Sequence, residues 1–211
     1  MKTNQELKNA ALAALKGNWT PAVLLALIVS VITAIPSLLG QGDGTASVAG
    51  IVSMLIAICV AMPLTVGAYA SFRKLYLGQE VKLVEDSLNV GFKNWTHNVG
   101  GMLLMGVYTF LWTLLLIIPG FIKAFSYAMT PYILADKPEL TANEAIELSM
   151  KMMDGHKLDL FILSLSFIGW SILAIFTLCI GYLWLVPYIY TTMAAFYEDV
   201  KAEYESNNVV A

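Results

Sequence analysis

Four side chains near residue 156 are of types that could carry out chemistry: Asp154, His156, Lys157 and Asp159. Carboxylates, an imidazole and an amine within six residues are the groups that general acid–base catalysis uses. The same cluster is also typical of the charged rim where a membrane helix meets water, and this interpretation is favoured. We therefore expect no catalysis here, and we keep His156 and Lys157 only as candidate ligand or interaction positions.

The other reactive side chains are too dispersed to form a recognisable site. His97 precedes His156 by 59 residues, and Cys59 and Cys179 are 120 residues apart inside apolar stretches. The sequence contains no HExxH, Gly-x-Ser-x-Gly, P-loop or CxxC motif. It therefore predicts a protein that is not an enzyme, without catalytic residues, metal ligands or cofactors.

Charges are almost absent from the apolar stretches. The chain is 58% hydrophobic and 13% charged, against roughly a quarter charged residues in a soluble domain. All 15 acidic residues fall in predicted loops, tails or borders, with Asp43 alone on the outer side. Because coupled transporters bind their ion through acidic or basic groups at membrane depth, transport driven by protons or sodium is disfavoured.

Six stretches are apolar and long enough to be considered as membrane spans, which need about 20 residues each. They are Thr20 to Leu39, Ser47 to Leu77, Val99 to Ile118, Gly120 to Ala135, Leu158 to Ile180 and Tyr182 to Tyr197. The second is too long for one straight crossing, and Pro63 inside it predicts a kink. The fourth, at about 24 Å if helical, is shorter than the hydrocarbon layer.

Basic residues predict the topology. With a tight outer turn at Pro119-Gly120, eleven basic residues are cytoplasmic and only Lys123 is outside. If 99–135 crossed once instead, the excess would fall to about seven against five, which the positive-inside rule disfavours. We therefore expect six spans, both termini in the cytoplasm, and Lys123 anchored at the outer border.

The spans form three similar units. A polar, helix-like segment precedes each pair of spans and ends in LKGNW, FKNW or MDGHK, and Pro63, Pro119 and Pro187 each begin an aromatic-rich stretch. In the third segment, Thr141 and Glu144 predict a capping box. The expected fold is an all-α polytopic membrane protein of about six spans in three hairpins, each preceded by an interfacial amphipathic helix. The single domain 1–211 then divides into units 1–78, 79–140 and 141–200 and a cytoplasmic tail 201–211.

These phrases resemble a known family. The stretches LKGNW, IPGFIKAFSYAMTPYILAD, NEAIELSMKMMDGHKLDLF and LSFIGW look like the bacterial integral membrane family catalogued as domain of unknown function nine hundred and seventy-five. The resemblance extends over nearly the whole chain. It implies a multi-pass protein of the bacterial cytoplasmic membrane, and it supplies no catalytic residues.

Two functions stay open. The first is a non-catalytic membrane scaffold or assembly protein, whose candidate partners are the lipid bilayer and another membrane protein. The second is an uncoupled carrier or channel for a small solute or lipid, suggested by the proline-broken helices. No nucleic-acid partner is expected, and the oligomeric state is not predicted. Besides His156 and Lys157, the candidate positions lie in the short fourth stretch or directly after it: Lys123, Tyr127, Pro131, Tyr132 and Asp136.

Overall fold

Every secondary-structure element is helical in the part of the chain that the computed structural model describes, residues 2–39, 48–177 and 179–209. One of these elements is a π-helical turn, Ala57–Ala61. The α-helices are α1 Asn4–Leu15, α2 Trp19–Leu39, α3 Val48–Ile56, α4 Met62–Tyr76, α5 Leu83–Lys93, α6 Trp95–Leu115, α7 Ile117–Tyr127, α8 Thr130–Asp136, α9 Ala142–Met152, α10 Lys157–Leu165, α11 Ile168–Phe176 and α12 Tyr182–Val209.

The three polar segments of the sequence form α1, α5 and α9. Capping boxes begin two of these helices, one from Thr3 and Glu6 and the predicted one from Thr141 and Glu144. Gly17 and Gly155, in the phrases that end the first and third segments, have φ angles of 87° and 86°. Glycine adopts this left-handed conformation without a steric penalty, so both helices can stop there and the chain can turn.

The second apolar stretch contains a π-helical turn directly before Pro63. Proline has no N–H group, so in a regular helix the carbonyl of Cys59, four residues earlier, would have no donor. The indole Nε1 of Trp95 donates to that carbonyl at 3.0 Å. The helix is therefore irregular next to Pro63, where a kink was predicted, and a side chain from α6 donates to the carbonyl that the proline leaves without its usual donor.

The first two turns of α4 pack closely against α5. A Cβ atom on Gly67 would lie 1.8 Å from the carbonyl oxygen of Ser87, and one on Gly91 would lie 2.3 Å from that of Pro63. The two backbones can therefore approach at both points only because glycine occupies them. The Ser87 hydroxyl also donates to the Leu64 carbonyl at 3.5 Å.

The chain reverses between α6 and α7 at Leu116, three residues before the predicted turn at Pro119-Gly120. Leu116 is extended, with φ −156° and ψ 136°. Pro119 lies in the first turn of α7, where its missing N–H group would have had no helical partner, so the helix tolerates it. The predicted turn position is wrong, although the reversal occurs nearby.

Two further apolar stretches are broken into short helices. The fourth forms α7 and α8, which are separated by Ala128 and Met129 just before Pro131. The fifth forms α10 and α11, which are separated by Ser166 and Phe167. In contrast, α12 continues without a break through Pro187.

By length and composition, three helices of the described residues could cross a membrane: Gly50–Tyr76, Trp95–Leu115 and Lys157–Phe176. Asn4–Leu15 and Trp19–Ile35, which meet at a bend of 104°, would add a fourth if the pair forms one span. The six predicted spans are thus not confirmed. The predicted outer loop that carries Asp43 lies outside the described residues.

Large apolar side chains are exposed along these helices. Leu114, Ile118 and Phe176 are 73%, 74% and 81% exposed, and many of their neighbours are similar. Soluble monomers rarely expose contiguous apolar surfaces of this extent, so the fold is compatible with a protein embedded in a membrane.

Candidate functional site

Charged side chains from three helices meet where α4, α8 and α12 come together. Arg73, in the last turn of α4, contributes Nη1 at 2.5 Å from Oδ1 of Asp136, the final residue of α8. Its Nε pairs with Oε1 of Glu198 on α12. Lys201, one turn further along α12, brings Nζ to 2.6 Å from Oδ2 of Asp136. We call these four residues the ion-pair junction.

The junction is mostly shielded from solvent and electrically balanced. Its four side chains are 17% to 20% exposed, and two cations face two carboxylates. The Tyr197 hydroxyl donates a further hydrogen bond to Oδ2 of Asp136 at 3.1 Å. Burial acts to raise the pKa of Asp136, but the hydrogen bond from Lys201 and the charge of Arg73 outweigh it and hold the pKa below its ordinary value.

Tyrosine rings pack directly beside the junction. Tyr132 stacks on Tyr197 with ring centroids 4.9 Å apart and meets Tyr69 edge-on at 4.8 Å. The Tyr132 hydroxyl donates to the carbonyl of Tyr190 at 3.4 Å. These rings join the same three helices as the ion pairs, so packing and charge reinforce each other here.

The geometry favours a structural role for the junction. Asp136 accepts hydrogen bonds from Arg73, Lys201 and Tyr197. The guanidinium of Arg73 also pairs with a second carboxylate, that of Glu198. Breaking such a partly buried pair leaves an uncompensated charge, so the junction holds the helix ends in one arrangement. Within the described residues, no group of three or more His, Cys, Asp or Glu is placed to hold a metal ion.

Of the seven candidate positions, Asp136 belongs to the junction, Tyr132 lies beside it, and the buried Pro131 precedes them on α8. His156 is elsewhere: its Nε2 lies 3.2 Å from Glu203 of α12, and its Nδ1 lies 3.4 Å from Asp159. Lys157 pairs with the exposed Asp154 at 3.5 Å.

Lys123 forms a separate contact with α9, and the ring of Tyr127 lies beside its ammonium group. The ammonium of Lys123 lies 5.0 Å from the ring centre of Trp112 and 6.0 Å from that of Tyr127. It also lies 3.7 Å from the sulfur of Met150 on α9. The predicted topology placed Lys123 outside and 141–157 in the cytoplasm. These two placements cannot both be right, because a hydrocarbon layer about 30 Å thick would separate the two residues.

Arg73, Tyr197, Glu198 and Lys201 are not among the predicted candidate positions. The sequence does contain a shared pattern that links these charges. Each of the three stretches that begin at a proline has aromatic residues close to a charged residue near its end, in FRK, YILAD and FYED. Those charges were assigned individually to the cytoplasmic border, and periodicity alone did not indicate that they pair with one another.

Comparison with known proteins gives one match. The family model described as Protein of unknown function (DUF975) matches residues 1–126 and 113–204, two overlapping segments that leave out only the last seven residues of the chain. Neither the curated proteins nor the solved structures give a match. As its sequence phrases predicted, the chain belongs to the DUF975 family of proteins of unknown function.

Proposed function

We propose that this protein is a non-catalytic membrane scaffold of the bacterial cytoplasmic membrane. We further propose that its second helix pair, α6 with α7, and its third, α10–α11 with the first turns of α12, enter the bilayer from the cytoplasmic face without crossing it. The observation that carries the proposal is the contact of α9 with both arms of the pair α6–α7. Tyr108 of α6 donates to the side chain of Asn143 at 3.0 Å, and Lys123 of α7 reaches Met150.

The exposed charges of α9 fix the depth of that contact. Glu144, Glu147 and Lys151 are exposed on this helix, and each would be costly in hydrocarbon, by about 3 kcal/mol on insertion scales. The level of Tyr108 and Lys123 is therefore at the membrane border.

Only a short tip of the second pair extends beyond that border. It consists of the seven residues from Thr109 to Leu115 on one arm and the six from Ile117 to Ile122 on the other. At 1.5 Å per residue each arm is about 10 Å long, a third of the hydrocarbon thickness. The tip has no charged residue, which fits a turn that ends within lipid better than one that emerges into water.

The third pair supports the same interpretation. Lys8 of α1 donates to the carbonyl of Ser166 at 3.1 Å, and α1 also exposes Glu6 and Asn9. Beyond this level, the nine residues of α11, Ile168–Phe176, extend about 14 Å before the chain returns.

Single-face insertion also simplifies the distribution of charge. Lys123 then joins the other eleven basic residues, so all 12 Lys and Arg residues are on the cytoplasmic side, together with both termini. This distribution follows the positive-inside rule more fully than the six-span topology does.

A scaffold that inserts helix tips into one leaflet expands that leaflet and favours curvature. The ion-pair junction suits this role, because it ties the ends of α4 and α8 to α12 without leaving a reactive group free. The test is to reconstitute the purified protein into liposomes and to image them by electron cryomicroscopy. We expect tubules or small vesicles, and fewer of them with Ile118→Glu, which places a charge at the tip. Unchanged vesicle shape at high protein density would contradict the proposal.

An uncoupled carrier is the second candidate, favoured by one cavity. A space of 430 Å³ between α2, α4 and α12 is lined by Ser30, Thr33, Thr65 and Tyr69 together with apolar side chains. The hydroxyls of Thr33 and Thr65 already donate to helix carbonyls at 2.8 and 2.7 Å, which leaves few free groups to bind a polar solute. Liposomes that release a panel of small solutes faster than protein-free liposomes would favour this candidate over the scaffold.

A further inference from the structure

Three tryptophans line an apolar groove between the N-terminal helices and the third helix pair. The groove has a volume of 370 Å³, and Leu12, Trp19, Trp170, Trp184 and Tyr188 form much of its wall. This volume lies within the range of about 300 to 1,000 Å³ that is typical of ligand cavities. We call it the tryptophan groove.

The walls of the tryptophan groove favour an apolar occupant. Trp170 and Trp184 are 57% and 51% exposed, so the groove is open at the surface of the helices. The hydroxyl of Thr177 is already used, because it donates to the Ala174 carbonyl at 2.8 Å and accepts from the N–H of Gly181 at 2.9 Å. A polar solute would therefore gain little from it, whereas a hydrocarbon chain would gain contact with three indole rings.

A lysine lies at one end of the groove. Leu12 follows Lys8 by one turn of α1, and Trp170 follows Ser166 by four residues, so the contact between Lys8 and Ser166 marks that end. The ammonium of Lys8 also lies 4.4 Å from the ring centre of Phe167. That ring in turn meets Tyr188 of the groove wall edge-on at 5.4 Å.

The charge of Lys8 has no anionic partner in the described part of the chain. Its one hydrogen bond goes to a backbone carbonyl, and an ammonium has three donors, so two stay available. Burial lowers the pKa of Lys8, as expected for a cation that is partly removed from water without a carboxylate beside it. An anion at this end of the groove would compensate that charge.

We propose that the tryptophan groove binds one acyl chain of an anionic phospholipid whose phosphate pairs with Lys8. Basic pockets at the cytoplasmic side of membrane helices bind anionic lipid headgroups in this way. The site does not require that the helix pairs stop within the bilayer, so it can be tested separately from the proposed function.

The test measures lipid affinity by native mass spectrometry on the full chain in detergent, with phosphatidylglycerol and phosphatidylcholine of identical chains. We expect phosphatidylglycerol to bind about fivefold more tightly, the gain that one lysine near an anionic lipid provides. Lys8→Gln should abolish the preference, whereas Lys8→Arg should retain it. Lys151→Gln is the matched control, since it removes the same charge from an exposed position on α9, a helix that contributes no residue to the groove wall, and it should leave the preference unchanged.

The chain-binding half of the proposal has its own variant. Leu12→Trp adds bulk inside the groove and should weaken both lipids to the same degree, while circular dichroism and the melting temperature show that the protein still folds. Equal affinity of the wild type for the two lipids would overturn the proposal. So would an equal loss of preference in Lys8→Gln and Lys151→Gln, unchanged binding by Leu12→Trp, or displacement of the lipid by inorganic phosphate.

Discussion

Replacing Gly67 with alanine should separate α4 from α5, and its effect can be worked out from the contact distances. The new Cβ atom would lie 1.8 Å from the Ser87 carbonyl oxygen and 3.1 Å from the Gly91 nitrogen. Real Cβ contacts essentially never fall below 3.0 Å, so the α5 backbone must move by about 1.2 Å. Such a shift also strains the hydrogen bond of 2.8 Å that Asn98 donates to the Gly91 carbonyl.

Overpacking of this kind costs about 3 kcal/mol. The higher helix propensity of alanine offsets about 1 kcal/mol of that. The net loss of about 2 kcal/mol corresponds to a fall of about 4 to 8 °C in melting temperature for a chain of this length. Thermal unfolding of the purified protein in detergent, followed by circular dichroism, measures this change.

Gly100 provides the matched control within the same chain. It also lies inside a helix, but a Cβ atom there would meet no other atom within 4 Å. Gly100→Ala should therefore keep only the propensity gain and raise the melting temperature by about 2 to 4 °C. Equal shifts in the two variants, or a more stable Gly67→Ala, would refute the close packing of α4 against α5.

Three further changes test the junction and the helix caps by the same thermal assay. Arg73→Leu leaves Asp136 and Glu198 without their shared cation and should destabilise the fold by about 3 kcal/mol; wild-type stability would show that the ion pairs do not form. Because the pKa of Asp136 is held below its ordinary 3.8, its pairs stabilise the protein above about pH 4 and are lost as the pH falls through the lowered value. Asp136→Asn should thus be less stable than the wild type by a constant amount at neutral pH, with a deficit that shrinks in acid; a deficit independent of pH would contradict this. Thr141→Ala removes the cap of α9 and should cost about 1 kcal/mol, with faster hydrogen exchange at the Glu144 amide, and exchange at the wild-type rate would count against the cap.

Local structure in this chain followed closely from residue types. Capping residues and left-handed glycines set the ends of α1 and α9, so the third polar helix could be predicted from Thr141 onward. An irregularity at Pro63 was equally predictable from its missing N–H group. The hydrogen bond that replaces the missing one could not be predicted. Its donor is the indole of Trp95, which is 32 residues away from Pro63 in sequence and is brought close only by tertiary packing.

Depth in the membrane could not be predicted from hydropathy. A window of apolar residues measures length and composition, and α6 has both in sufficient amount for a span. In the arrangement that we propose, α9 limits the insertion of α6, because it contacts α6 at Tyr108 and α7 near Lys123. Hydropathy and charge counts alone predict Lys123 at the outer border, beside the expected turn, whereas the proposed arrangement places it on the cytoplasmic side.

The junction illustrates a similar limit. Asp136 was a candidate because it ends the short fourth stretch, and Arg73 was visible as a border charge. That they form one ion pair depends on the convergence of α4, α8 and α12, which no local pattern encodes.

The depth of residue 118 tests the central claim most directly. Ile118→Cys, in a variant in which Cys59 and Cys179 are replaced by alanine, carries a spin label at the exposed tip of the second helix pair. We expect the label to be accessible to oxygen and to lie about 10 Å below the cytoplasmic surface of the hydrocarbon layer. In the unlabelled variant, the free thiol at position 118 should not react with a membrane-impermeant maleimide applied to intact cells. Glu147→Cys, which is exposed on α9, should react in inverted vesicles and serves as the positive control. Reaction of the cysteine at position 118 from the outside of intact cells would show that the pair crosses the membrane and would contradict single-face insertion.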